Sequence, residues 1–261
     1  MRYSFASVRL KKCIGVVRPI IQRLGFDIVS YSPPKHYAPL PESQRQLPLP
    51  GEGVVERLKE VFLYPRVDSS VKSFLWSIDG GGRELIEQMI VDKDVRLLLE
   101  IGSFLGGSAE RWLRASPNLV VVCLDPWLDA WAGNYVAKHG YAELRDQLNR
   151  ENGFFMTFLA NLWNYRARVV PVRKKSPEGL LDLFLFDLQP DLIYIDANKA
   201  SDSIRVCHQL WPSAILTGDD WNWSKEGGKA PVQEAVTKLA SAHGCEILQQ
   251  KETWVLIKNR R

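Results

Sequence analysis

The 261-residue chain lacks any apolar run approaching the roughly 20 residues needed to cross a bilayer. Its N-terminus is basic, but the apolar stretches there break every few residues and no small-residue cleavage site follows. A secretory leader is therefore not expected, and a cytoplasmic location is. Cysteine is sparse: Cys13, Cys123, Cys207 and Cys245 lie far apart, with no CxxC pair and no zinc spacing. They read as reduced thiols rather than a disulfide framework. Internal repeats and low-complexity tracts are absent too. With 46% apolar residues, the chain is neither a disordered tail nor a fibre. A strong excess of one charge is also missing, since 34 basic residues face 30 acidic ones for a net +4. Even that surplus sits at the ends. Residues 1–24 and 258–261 hold nine basic side chains and no acid, which leaves a body of net charge −5. Nucleic acid is accordingly not an expected partner of the body.

What is present begins with Ile14, Val17, Ile20, Ile21 and Leu24 at helical spacing, interleaved with Lys11, Lys12, Arg18 and Arg23. This predicts a basic amphipathic helix. It can pack on its own domain or on a second subunit, making a homo-oligomer, or lie on an acidic membrane surface. Six prolines between Tyr31 and Pro50 then mark an extended linker. Residues 1–53 thus form an N-terminal extension, and residues 54–261 the main domain.

That domain alternates helical patterns with short continuous apolar runs. Strands are expected at 95–101, 119–124, 168–172, 191–195, 213–217, 245–248 and 253–257. Helices are expected from Gly53 and Arg83, over 107–115, through a long region from Tyr141 to Tyr165, from a Ser176 cap to Phe186, and over 200–210 and 230–242. Apolar strands alternating with helices predict an α/β fold, with a mostly parallel sheet covered on both faces.

In such sheets ligands bind beyond the carboxyl ends of the strands. The first strand runs into Glu100-Ile-Gly102-Ser103-Phe-Leu-Gly106-Gly107-Ser108. Gly102 permits a tight turn, and Gly106 and Gly107 let a ligand approach amides at a helix start. The glycine spacing is not the dinucleotide pattern G-x-G-x-x-G. The second strand ends in Asp125, placed to accept both hydroxyls of a ribose. A simple β-to-α turn and a helix cap are the plain alternatives for these two features. Trp127 can flank an adenine or pack in the core. The fourth strand delivers Asp196-Ala-Asn-Lys199, and the fifth Gly218-Asp219-Asp220. Three carboxylates at neighbouring strand ends are costly without compensation. An oxygen-liganded divalent cation, magnesium above all, would relieve them, and capping roles would explain them more simply.

The E-x-G-x-x-x-G loop with its strand-end acid resembles the S-adenosylmethionine site of class I methyltransferases. That resemblance implies a Rossmann-like, seven-stranded sheet whose last strand is antiparallel. It also implies a cofactor held around Glu100, Gly102, Ser103, Gly106, Gly107, Ser108, Asp125, Trp127, Ser176 and Asp196. The D-x-x-K after strand four and the acids after strand five resemble cation-dependent O-methyltransferases of the catechol and caffeoyl-CoA kind. By that likeness Asp196, Asp219 and Asp220 hold a metal and Lys199 assists deprotonation. Those families carry aspartate then asparagine after strand five, whereas the Asp219-Asp220 pair is similar to the macrocin-type sugar O-methyltransferases. Asp125-Pro-Trp-Leu, Phe158-Leu-Ala-Asn161, Val170-Pro-Val-Arg, Gly218-Asp-Asp-Trp221 and Trp254-Val-Leu-Ile-Lys258 together resemble a bacterial class I group of largely unassigned substrate. Its usual D-G-x-H after strand four is altered here, with Ala197 for the glycine and Lys199 for the histidine. His139, in a turn near the expected acceptor pocket, is a second candidate to reach substrate. The function expected is cation-assisted O-methylation of a hydroxyl on a small molecule or sugar. A nicotinamide-dependent oxidoreductase and a non-catalytic Rossmann-like subunit are the alternatives.

Overall fold

The computed structural model describes residues 53–74, 81–128, 142–197, 202–224, 228 and 230–258. The chain divides into two units, Met1–Gly53 and Val54–Arg261. The basic helix expected near residues 14–24 and the proline-rich stretch lie outside the described residues, as do His139 and Lys199.

The second unit is built around one sheet. Its strands are β1 (Leu97–Ile101), β2 (Val120–Asp125), β3 (Val169–Arg173), β4 (Leu192–Ile195), β5 (Ile215–Gly218), β6 (Cys245–Gln250) and β7 (Thr253–Lys258). They lie in the order β3-β2-β1-β4-β5-β7-β6. The pairings from β3 through β5 are parallel, and β7 alone runs antiparallel to its neighbours β5 and β6. The mostly parallel, helix-covered sheet is the α/β architecture that the strand pattern predicts, and its one reversed strand matches the order implied by the resemblance. The connecting helices are α1 (Val54–Val61), α2 (Glu84–Asp92), α3 (Gly107–Ala115), α4 (Ala142–Leu148), α5 (Gly153–Asn161), α6 (Glu178–Leu185), α7 (Asp202–Leu210) and α8 (Pro231–His243).

The central strands are apolar because both faces are covered. Leu98 and Leu99 of β1 are both fully enclosed, as are Val121, Val122 and Cys123 of β2. One side of the core gathers Ile86 and Ile90 of α2, Trp112 of α3 and Phe154 and Phe158 of α5 against the sheet. Burial of such side chains contributes about 1.5–3 kcal/mol each, which decides the strand register. Among the described residues, no helix is long and apolar enough to cross a membrane.

One local expectation is sharpened and another corrected. The long helical region from Tyr141 to Tyr165 divides into α4, α5 and a 3-10 turn at Trp163–Arg168. Asn152 adopts a left-handed backbone (φ 58°) at the break, and the Cα of Gly153 lies so close to the chain that a Cβ there would sit 2.0 Å from the Gln147 carbonyl oxygen. The break lets Thr157 and Gln147 satisfy each other, with Gln147 Nε2 donating to Thr157 Oγ1 at 2.8 Å. Ser176 does not cap α6: Pro177 holds that position without a side-chain cap, and the Ser176 hydroxyl lies 3.3 Å from that of Ser203.

Candidate active site

Strand pairing brings three loops together at one edge of the sheet. Ile101, Leu124 and Ile195 stand side by side at the ends of β1, β2 and β4. The amide of Gly102 donates to the Leu124 carbonyl (2.9 Å), and that of Asp196 to the Ile101 carbonyl (2.9 Å). Gly102 has φ +88°, and a Cβ there would lie 2.1 Å from the Asp196 carbonyl oxygen. Only glycine fits this close approach. Beyond it, Gly106 is left-handed at the start of α3, whose first amides emerge at the same edge.

Asp125 ends β2 and organises the loop beside it. Its Oδ2 accepts the amide of Phe104 (3.1 Å) and its Oδ1 the amide of Trp127 (2.7 Å). Both residues have positive φ, 47° and 42°. Left-handed backbone at two bulky residues costs of order 1–3 kcal/mol each and needs such fixed partners. Burial pushes the Asp125 carboxyl above the usual range, against the pull of the backbone amides it accepts. Each of its oxygens keeps acceptor capacity beyond these amides.

Two residues expected at a cofactor belong to the interior instead. Trp127 is completely buried, donates its indole N–H to the Phe104 carbonyl (2.8 Å), and packs on Phe158 and Phe155 at 4.4 and 5.0 Å between centroids. With no exposed surface it walls the core. Glu100 is equally enclosed, and its Oε1 accepts from Ser108 Oγ (2.6 Å) and Trp112 Nε1 (3.1 Å). Burial raises its pKa, and those hydrogen bonds oppose the rise. Its carboxylate ties the loop to α3 from beneath. Ser103 is buried alongside, facing Glu100 and Cys123 without a well-formed hydrogen bond.

At the other side of β1, the strand-end acids Asp196 and Asp219 are adjacent, since the Asp219 amide donates to the Ile195 carbonyl (3.1 Å). Between them stands Arg83, which precedes α2 and was not singled out in the sequence. Its Nη2 donates to Asp196 Oδ2 (3.4 Å) and to Asp219 Oδ2 in a short contact, and its Nε to the Tyr194 hydroxyl (3.2 Å). Arg83 is only 7% exposed. Burial works against its charge, but Tyr194, Asp219 and Asp196 more than offset that and hold its pKa above the ordinary value. The carboxyl of Asp196 is pushed up to about 7 by burial and by the Asp219 charge, with Arg83 opposing. Asp219 is raised by burial as well, and its Oδ1 is buried without a hydrogen-bond partner. Asp220 follows in a left-handed turn (φ 64°). Among the described residues, no group of three acid, histidine or cysteine side chains is arranged to hold a metal ion. The two carboxylates expected to lead such a site face a guanidinium, so the residues present do not fit the expected divalent cation.

The signal for Arg83 was its neighbourhood, the run Gly80-Gly81-Gly82 before an arginine at a helix start. That run permits a tight clamp. A Cβ on Gly82 would lie 1.8 Å from the Gln250 carbonyl oxygen, and the Gly81 carbonyl accepts from the Glu252 amide (3.0 Å) and Thr253 Oγ1 (2.8 Å). Lys174 is ion-paired with Asp182. His208 packs on His243, 4.2 Å between ring centroids, away from these loops.

No family profile and no curated protein matches this sequence. Solved structures with a similar chain path include a provisionally assigned caffeoyl-CoA O-methyltransferase from Staphylococcus aureus (18% identity, 79% of this chain and 91% of that one, TM-score 0.49). The O-methyltransferase TomG from Streptomyces achromogenes, involved in tomaymycin synthesis and in complex with SAM, is 18% identical over 80% of this chain and 90% of its own, with TM-score 0.41. An O-methyltransferase from Bacillus cereus in complex with SAH is 18% identical over 83% and 94%, with TM-score 0.43. At such distances these likenesses assign no activity.

Proposed function

We propose that this chain is an S-adenosylmethionine-dependent methyltransferase acting on a hydroxyl of a small molecule or sugar. One observation carries the reading: the Gly102 approach, the α3 amides and the Asp125 carboxylate converge at the carboxyl edge of β1 and β2, in a sheet with a single antiparallel strand. S-adenosylmethionine would supply an electrophilic methyl group on sulfonium. Gly102 leaves the room that a side chain would fill, and Asp125 offers acceptors suited to ribose hydroxyls. On the other side of β1 stand Asp196, Arg83 and Asp219, whose fixed charges would face an acceptor hydroxyl bound beside the cofactor. Lys199, three residues beyond Asp196, and His139 remain proposed proton acceptors. Holding oxygen and methyl carbon in line is the main contribution of such a site. No step is assigned to a cation, because a guanidinium stands between the carboxylates expected to bind it.

Calorimetry with S-adenosylhomocysteine and with NADH tests the reading. S-adenosylhomocysteine, the spent cofactor, should bind, and Asp125→Ala should weaken it at least tenfold. Binding of NADH alone would overturn the proposal in favour of an oxidoreductase, and binding of neither would favour a non-catalytic subunit. A screen of candidate hydroxyl acceptors with methyl-labelled cofactor then identifies the substrate.

A further inference from the structure

We infer that Arg83 is the resident cation of this site, occupying the place between Asp196 and Asp219 where a divalent metal would otherwise be bound. The inference builds on the proposed methyltransferase reading for its meaning, but its geometry stands alone. Asp196 Oδ2 and Asp219 Oδ2 both point at one atom, Nη2 of Arg83. A metal bridging these two oxygens would have to sit at about 2.0–2.6 Å from each, in space that the guanidinium already fills. The arginine cannot readily withdraw. Its Nε is engaged by Tyr194, and its backbone follows a glycine pair clamped against the β6–β7 turn. The first of those glycines lies so near the guanidinium that a Cβ there would meet Nη1 at 2.5 Å.

The electrostatics explain why a built-in cation is retained. Two neighbouring carboxylates set at adjacent strand ends repel and lose hydration, which is costly unless compensated. A guanidinium compensates them permanently, stays protonated at any physiological pH, and presents several donors in one rigid plane. It differs from a divalent ion in consequence. It carries one charge instead of two, and it has no vacant coordination position to take an acceptor oxygen as a Lewis acid. The acceptor hydroxyl must therefore be oriented and deprotonated by side chains alone, and turnover should be independent of added metal.

Mn²⁺ titration followed by electron paramagnetic resonance tests this on the full chain, without any substrate. The wild-type protein should leave the free-ion signal unchanged at millimolar Mn²⁺. Arg83→Ala should bind Mn²⁺ at least tenfold more tightly, and the added change Asp219→Asn should abolish the gain. Arg83→Lys, which keeps a cation in the gap, should resemble wild type. Should Arg83→Ala fail to fold, the wild-type titration still decides. Wild-type binding that Asp219→Asn removes would overturn the inference, as would a folded Arg83→Ala variant that gains nothing. S-adenosylhomocysteine binding, measured in parallel, separates the two readings. Its absence would defeat the methyltransferase proposal while leaving the metal result intact.

Discussion

Replacing Gly102 by alanine probes the closest backbone approach in the site. Two effects add. An L side chain at φ +88° carries roughly 1–2 kcal/mol of left-handed strain. The new methyl would also lie 2.1 Å from the Asp196 carbonyl oxygen and 2.9 Å from Ala197 Cα, so β1 and the β4 loop must separate. Overpacking of that kind adds about 1–3 kcal/mol, giving a total near 2–5 kcal/mol. Gly244 supplies the internal control. It closes α8 with φ +63°, and a Cβ there meets nothing within 4 Å. Gly244→Ala therefore carries the backbone strain alone, about 1 kcal/mol after the gain from a stiffer unfolded chain. Urea denaturation of both variants should show Gly102→Ala less stable than Gly244→Ala by about 1–3 kcal/mol, the contribution of the contact. Only Gly102→Ala should also weaken S-adenosylhomocysteine binding, because it displaces Asp196. Equal stability and equal affinity in the two variants would refute the close approach.

Trp127→Ala should cost about 3–5 kcal/mol, because the indole is wholly enclosed and bonded to the Phe104 carbonyl. Thermal denaturation measures this, and a selective loss of cofactor affinity with unchanged stability would restore Trp127 to the binding surface. The pH dependence of stability follows from the raised carboxyls. Asp196, at about 7 in the folded chain, titrates near 4 when unfolded, so the folded state binds more protons between those values. Its contribution is most favourable below about pH 4 and falls as pH rises to about 7, by at most about 4 kcal/mol before solvent screening. Glu100, Asp125 and Asp219 are shifted in the same direction. Denaturation midpoints should therefore be higher near pH 5.5 than near pH 8, and Asp196→Asn should flatten the slope. A midpoint that climbs from pH 5.5 to 8 would contradict this.

The fold was legible because its signals are local. Runs such as Leu97-Leu-Leu-Glu-Ile and Val120-Val-Val-Cys-Leu are apolar on both faces, which only a covered strand tolerates. The break at Asn152-Gly153 does carry a local signal, since the polar run Asn149-Arg-Glu-Asn-Gly153 interrupts the apolar pattern and ends in an Asn-Gly turn pair. The turn is closed locally: the Gly153 amide donates to the Arg150 carbonyl (2.8 Å), and a Cβ at Gly153 would collide with the Gln147 carbonyl oxygen. Glu100 and Trp127 show the complementary limit. A carboxylate and an indole beside a glycine loop have the chemistry of a binding site, but their burial is settled by partners 8 to 31 residues away.

Arg83 marks where reading along the chain stops short in a more instructive way. The carboxylates Asp196 and Asp219 announce a need for positive charge, and a sequence offers two sources, a bound ion or a distant side chain. The partner lies 113 and 136 residues away from them, across the sheet, where no spacing rule reaches. What brings it back is the parallel order of β1, β4 and β5 with β7 inserted antiparallel beside β5. The β6–β7 turn then clamps the Gly81–Gly82 backbone at the edge where the acids end. The same antiparallel strand that reverses direction beside β5 thus also holds Arg83 in place. A chain that kept the strand-end acids but lost the glycine clamp would be expected to need a metal in its place.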